Sequence, residues 1–322
     1  MLFLISKIPI LPLKEFFFLK SLFKLERLFF NDCKPFGFIL FQRNCNNKTQ
    51  VRELIYSLRE SVDHFAPIFI DQEGGRVQRL KEPVWRKAPT SASFGKIFKV
   101  NEESASQLVF QNARLIAEEL QVLGIDVNCA PVLDLFESNA NDIIGDRAFS
   151  SDPFATSILG KSFVKGLESG GVAPVVKHIP GHGRAEVDSH LALPKIEAKL
   201  TSLKKSDFIP FVDLNDSPAA MTGHLLFDKI DSINPVTISS DIIDHIIREH
   251  IGFQGLLVSD DISMAALTGD LSFIAENVLT AGCDIVLHCN GNLSEMKKIV
   301  KKNQVLGVKT KKRVEEFLIN LI

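Results

Sequence analysis

What most constrains the fold of this chain is a repeated alternation. Short apolar runs rich in β-branched residues end in polar or charged residues, and stretches of helical periodicity follow them. Gly37-Phe38-Ile39-Leu40-Phe41 runs into Arg43-Asn44, and Pro67-Ile68-Phe69-Ile70 into Asp71. Val127-Asn128-Cys129-Ala130-Pro131-Val132 leads to Asp134, and residues 172–176 lead to Lys177-His178. Ala219-Ala220-Met221-Thr222 precedes His224, Leu256-Leu257-Val258 precedes Asp260, and Asp284-Ile285-Val286-Leu287 precedes His288. With residues 2–5 as a first strand, the runs number eight. Strands that are apolar throughout are buried on both faces, which is the mark of a parallel sheet covered by helices.

The intervening periodicity supports that reading. Ala105, Leu108, Val109, Ala113, Ile116, Leu120 and Leu123 predict a helix with one apolar face, and Gly124 its stop. Ile242, Ile243, Ile246 and Ile247 predict another before Gly252. Eight strand–helix units closing on themselves give a single α/β domain over residues 1–322, a (β/α)8 TIM-type barrel. Barrels of this kind commonly take about 250 residues as one domain. Their active sites lie in the loops after the strand C-termini, so the polar residues from Arg43 to His288 are expected to converge on one rim.

Bulk properties narrow the function. The chain has 37 basic and 39 acidic residues and a formal net charge of −2, so bulk charge attracts neither nucleic acid nor an anionic membrane. Five scattered cysteines with no Cys-x-x-Cys pair argue against a disulfide framework or structural zinc, and they fit the reducing cytoplasm. One Trp and one Tyr against 25 Phe offer no extended aromatic platform for carbohydrate. Residues 1–13 are apolar, but Lys7, Pro9 and Pro12 interrupt them, and no cleavage site follows. No window reaches the ~18 apolar residues of a spanning helix. The expectation is a strand and then a helix from the Phe-rich stretch at residues 16–30. The basic tail, with Lys297, Lys298, Lys301, Lys302 and residues 309–313, is expected to be a solvated helix face.

Three segments carry chemistry. Residues 177–190, Lys-His-Ile-Pro-Gly-His-Gly-Arg-Ala-Glu-Val-Asp-Ser-His, hold three histidines with Lys177 and Asp188 in a loop too polar for a core. In Asp188-x-His190 a carboxylate can orient an imidazole and favour its protonated form, giving a group that donates and later recovers a proton. In Ser259-Asp260-Asp261-Ile262-Ser263-Met264, Asp260 leaves a buried strand at the rim, where a glycosidase nucleophile belongs. Asp261, beside it, offers the alternative of a cap on a following helix. In Asp71-Gln72-Glu73-Gly74-Gly75-Arg76-Val77-Gln78-Arg79, the paired glycines permit a tight turn, and an acid beside an arginine suits polyol recognition. Gly145-Asp146-Arg147 adds a further arginine. Two carboxylates usually flank a scissile glycosidic bond, and spacing alone does not assign one of those places to a histidine.

These segments, with residues 37–44 and 281–291, resemble glycoside hydrolase family 3, specifically its single-domain β-N-acetylhexosaminidases of bacterial peptidoglycan recycling. The likeness runs over residues 35–291, while residues 1–34 match the family's opening strand poorly. It implies a cytoplasmic, retaining hydrolase that works through a covalent glycosyl-enzyme without metal or cofactor. By resemblance Asp260 is the nucleophile, and His190 is the acid/base assisted by Asp188. Asp71, Arg79, Arg147, Lys177 and His178 bind terminal N-acetylglucosamine of (anhydro)muropeptide fragments, and the chain is expected to act as a monomer.

Other readings of the same residues stand beside it. His178, His182, His190 and Asp188 could ligate a metal in a metal-dependent barrel hydrolase, although Lys177 would then adjoin the cation. The site could bind sugar without catalysis. A histidine acid/base, neutral when deprotonated, would also tolerate phosphate as the acceptor in an N-acetylglucosaminide phosphorylase.

Overall fold

The computed structural model describes residues 10–12, 24–301 and 307–321. Seven parallel strands form a curled sheet in the order Gly37–Leu40, Ile68–Ile70, Val127–Asn128, Ala173–Ile179, Ala219–Thr222, Leu256–Asp261 and Ile285–Leu287. Each strand pairs with the next in sheet order, as Phe38 with Ile68 and Val175 with Ala219. At the seam, Ile10–Pro12 registers in parallel with Gly37, Phe38 and Ile39 on one side, and Ile10 with Leu287 on the other. The run at residues 2–5, expected as a first strand, lies outside the described residues. Of the Phe-rich stretch, Lys24–Cys33 is helical.

Side chains alternate across these strands, so each contributes to two layers. Val176, Ala220, Leu257 and Val286 pack outward with Ile243, Ile247 and Phe211 from the covering helices. Val175, Ala219, Met221, Leu256, Val258, Ile285 and Leu287 pack inside the curl. At the strand N-termini the helix Val308–Ile319 supplies Phe317, which stacks on Phe69 with ring centroids 6.5 Å apart. Packing therefore closes the lower end, and function is left to the upper one.

Several expectations shift in detail. The helix Glu102–Gln121 buries Ala105, Val109, Ala113, Ile116 and Leu120, but Leu108 is 42% exposed. One residue is 100° of helix rotation, so Leu108 turns off the face that Val109 centres. Gly124 does adopt the left-handed φ of +86° that lets the chain turn away. The run 127–132 yields only a two-residue strand, with Val132 rejoining through an isolated bridge to Lys177. Conversely, the strand expected at 172–176 continues through Ile179, so Lys177 and His178 are strand residues rather than loop.

Candidate active site

Parity along the strands sets the upper rim. Lys177 follows Val175 by two positions, and Asp260 follows Val258 by two, so both inherit the inward direction of the apolar residues below them. Lys177, buried, is met by carboxylates from the turn after Ile68–Ile70. Its Nζ lies 2.8 Å from Asp71 Oδ1 and 2.7 Å from Glu73 Oε1. Gly74 and Gly75, at φ +105° and +57°, make the hairpin that returns Arg79 to Asp71, with Nη2 donating at 2.9 Å to Oδ2. Arg147 donates through Nε and Nη2, both at 2.8 Å, to the two oxygens of Glu73. Cations and carboxylates thus alternate through the cluster.

Burial alone would neutralise these acids; their partners prevent it. Desolvation works against the Asp71 carboxylate, but the charges of Lys177 and Arg79 outweigh it and hold the group well below the usual range. Glu73 is likewise opposed by burial and drawn down by Arg147 and Lys177 to about 2. Lys177 is penalised by burial yet raised by Asp71 and Glu73, so it stays charged.

A second cluster is built on Asp134. Its Oδ2 lies 2.7 Å from His178 Nδ1, and its Oδ1 accepts from the backbone N–H groups of His178 (3.2 Å) and His182 (2.6 Å). This leaves the other nitrogen of His178 for the pocket. Burial, and then the neighbouring His178, push His182 down to about 4 and keep it neutral.

Asp260 and the Asp188–His190 pair face this floor from different elements. Burial resists the charge on Asp260, but His224 and His178 and the N–H of Asp261 depress its pKa. That N–H donates to Oδ1 at 2.8 Å. His190 Nδ1 lies 2.8 Å from Asp188 Oδ1, which also accepts the His190 N–H at 2.8 Å. The His190 side chain is 62% exposed, so the remaining ring nitrogen is accessible. Asp261 does not take up the alternative of capping a helix. Its Oδ1 accepts from Ser263 N at 2.9 Å and Cys289 N at 3.0 Å, while the next helix, Leu271–Ala281, is capped by Asp270.

One pocket of about 310 Å³ brings the predicted residues together. Asp71, Arg79, Arg147, Lys177, His178, His190 and Asp260 all line it, and Asp188 stands behind His190. Arg43 and His288, also expected at the rim, are not on its wall: Arg43 donates to the Cys289 carbonyl at 2.6 Å and His288 pairs with Glu295. Among the described residues, no three His, Cys, Asp or Glu side chains are grouped to hold a metal ion. Glu73, Asp134 and His182 are residues of the site to which the sequence alone assigns no role in holding a sugar. Glu73 carried a usable signal, since it lies two residues after Asp71 in an extended segment. Asp134 carried a weaker one, as the acid that ends an apolar run.

Comparison with known proteins fits this geometry. A profile of the Glycosyl hydrolase family 3 N terminal domain matches residues 32–318. A Beta-hexosaminidase of Idiomarina loihiensis is 38% identical over 257 residues, covering 79% of this chain and 76% of the relative. One from Bordetella avium is 36% identical over 258 residues, covering 79% and 73%. The solved structure of NagZ from Neisseria gonorrhoeae in complex with N-trifluoroacetyl-D-glucosamine superposes with a TM-score of 0.87 at 32% identity, covering 97% of this chain and 91% of that one.

Proposed function

The chain belongs to glycosyl hydrolase family 3 and is a glycoside hydrolase, and on that premise we propose that it is a retaining β-N-acetylglucosaminidase. Its substrates in this reading are (anhydro)muropeptide fragments of peptidoglycan that carry terminal N-acetylglucosamine. The substrate class is supported by the Beta-hexosaminidase relatives and by the N-acetylglucosamine analogue held by the Neisseria neighbour. The observation that carries the mechanism is that Asp260, held ionised, and His190, tied to Asp188, come from different elements to line one pocket.

Asp260 attacks the anomeric carbon while His190 gives its proton to the leaving oxygen, forming a covalent glycosyl-enzyme. His190 then takes a proton from water, which attacks the same carbon and frees Asp260. Asp188 fixes the imidazole's orientation and tautomer through the 2.8 Å contact at Nδ1. Asp71, Arg79, Arg147, Lys177 and His178 hold the sugar; the cross-linked cations and acids present donors and acceptors in fixed directions, as polyol recognition requires.

The reading includes one domain closed as a full eight-stranded barrel, supported by the pairing of Ile10–Pro12 with both neighbouring strands. It places the enzyme in the cytoplasm as a monomer. All five cysteines are free. No described helix is long and apolar enough to cross a membrane.

The test is release of 4-nitrophenol from its β-N-acetylglucosaminide, with and without phosphate and chelator. Free sugar in every buffer is expected. A product of sugar-1-phosphate would replace hydrolysis by phosphorolysis, and loss of activity restored by zinc would replace the covalent mechanism by a metal-dependent one.

A further inference from the structure

We infer that Ser189 and His182 are positioning residues that hold the Asp188–His190 pair over the pocket, an inference that rests on His190 being the acid/base. Between residues 186 and 192 the loop is exposed or half-buried everywhere except at Ser189, which is 2% exposed. Its burial is polar on both sides. The Ser189 hydroxyl lies 3.3 Å from His182 Nε2, and its carbonyl accepts the N–H of Ala266 at 3.2 Å. His182 lies in the loop that leaves the strand carrying Lys177, three residues past its end at Ile179, and Ala266 lies in the loop that follows Asp260. Ser189 is therefore clamped between the base of its own loop, which His182 fastens to Asp134, and the loop that follows the nucleophile.

His182 is a rigid post for this purpose. Its backbone N–H is fixed at 2.6 Å to the buried Asp134, and its ring lies edge-on to His178 with centroids 5.5 Å apart. With Ser189 turned inward, the residues on either side of it meet at the opening as the 2.8 Å pair. A loop held at one inward residue has a short lever on which to carry His190. Losing that anchor lets the imidazole spread over positions from which it cannot reach the leaving oxygen, and proximity effects of this kind are steep.

The test compares kcat/KM for wild type, Ser189→Ala and Ser189→Thr on phenyl and 2,4-dinitrophenyl β-N-acetylglucosaminides, with thermal midpoints recorded alongside. The phenyl leaving group needs the acid and the dinitrophenyl group does not. Expected is a loss of roughly tenfold for Ser189→Ala on the phenyl substrate only, the scale of one hydrogen bond in a barrier. Ser189→Thr, which keeps the hydroxyl, recovers most of it, and the midpoints stay together. Equal losses on both substrates, or no loss on either, overturn the positioning role while leaving the glycosidase reading intact. A wild-type protein that releases sugar from neither substrate overturns both.

Discussion

Asp260 remains an anion in a buried setting because opposite charge and a backbone donor reach it there, and in the proposed mechanism that anion is the reactive species. Asp260→Ala is expected to lower turnover by roughly a thousandfold or more, as removal of a nucleophile does elsewhere. His190→Ala is expected to cost roughly 10² to 10⁴-fold on poor leaving groups and far less on good ones. Steady-state kinetics over a leaving-group series checks both. A flat response in His190→Ala would move the acid role to another residue. At this scale much of the site was legible, because strand ends and a Gly-rich histidine loop announce themselves in sequence. Asp134 did not, since its importance lies in which N–H groups it meets across a tertiary contact.

Between elements, the main joint is Asp284, fully buried at the lower end of the strand Ile285–Leu287. Its Oδ2 accepts from Arg248 Nη2 at 3.0 Å and Leu257 N at 3.0 Å, while Oδ1 accepts from Thr310 at 2.8 Å and Arg313 at 2.9 Å. One carboxylate thus fastens the helix Ile242–His250 and the C-terminal helix to the sheet. Asp284→Ala strands two arginines and is expected to cost about 3–5 kcal/mol. Denaturant titration measures that loss, and KM should stay unchanged because the opposite end of the sheet holds the pocket. In sequence the Asp284 run reads only as a strand, and the basic tail as a solvated helix face, which the exposed Lys297, Lys298, Lys301, Lys309 and Lys312 form. What that reading leaves out is the opposite face of the last helix, where Val314 and Phe317 are buried against the sheet. Period-two and helical patterns identify elements, but they do not say which faces meet.

For the whole molecule, three buried titratable groups push stability the same way with pH, while burial raises Asp126 and works against them. His182 sits at about 4 in the fold against an ordinary 6.5, so between those values the unfolded chain holds a proton that the folded chain does not. Unfolding then takes up protons, and stability falls as pH drops through that window, by up to about 3 kcal/mol from this group. His224 is lowered in the same direction by burial. Glu73, at about 2 against 4.5, adds stability that is present above 4.5 and lost as pH falls toward 2. Urea midpoints at pH 7 and pH 4.5 should therefore separate for wild type and separate less for His182→Gln; identical separations would contradict the linkage. Everything else assigned to this enzyme depends on its upper rim, where Asp260 and His190 share one pocket. The most direct measurement is to trap the glycosyl-enzyme with a slow fluorinated N-acetylglucosaminide and map the modified peptide. The label is expected on Asp260; a label on any other residue, or none while substrate turns over, would contradict Asp260 as the nucleophile.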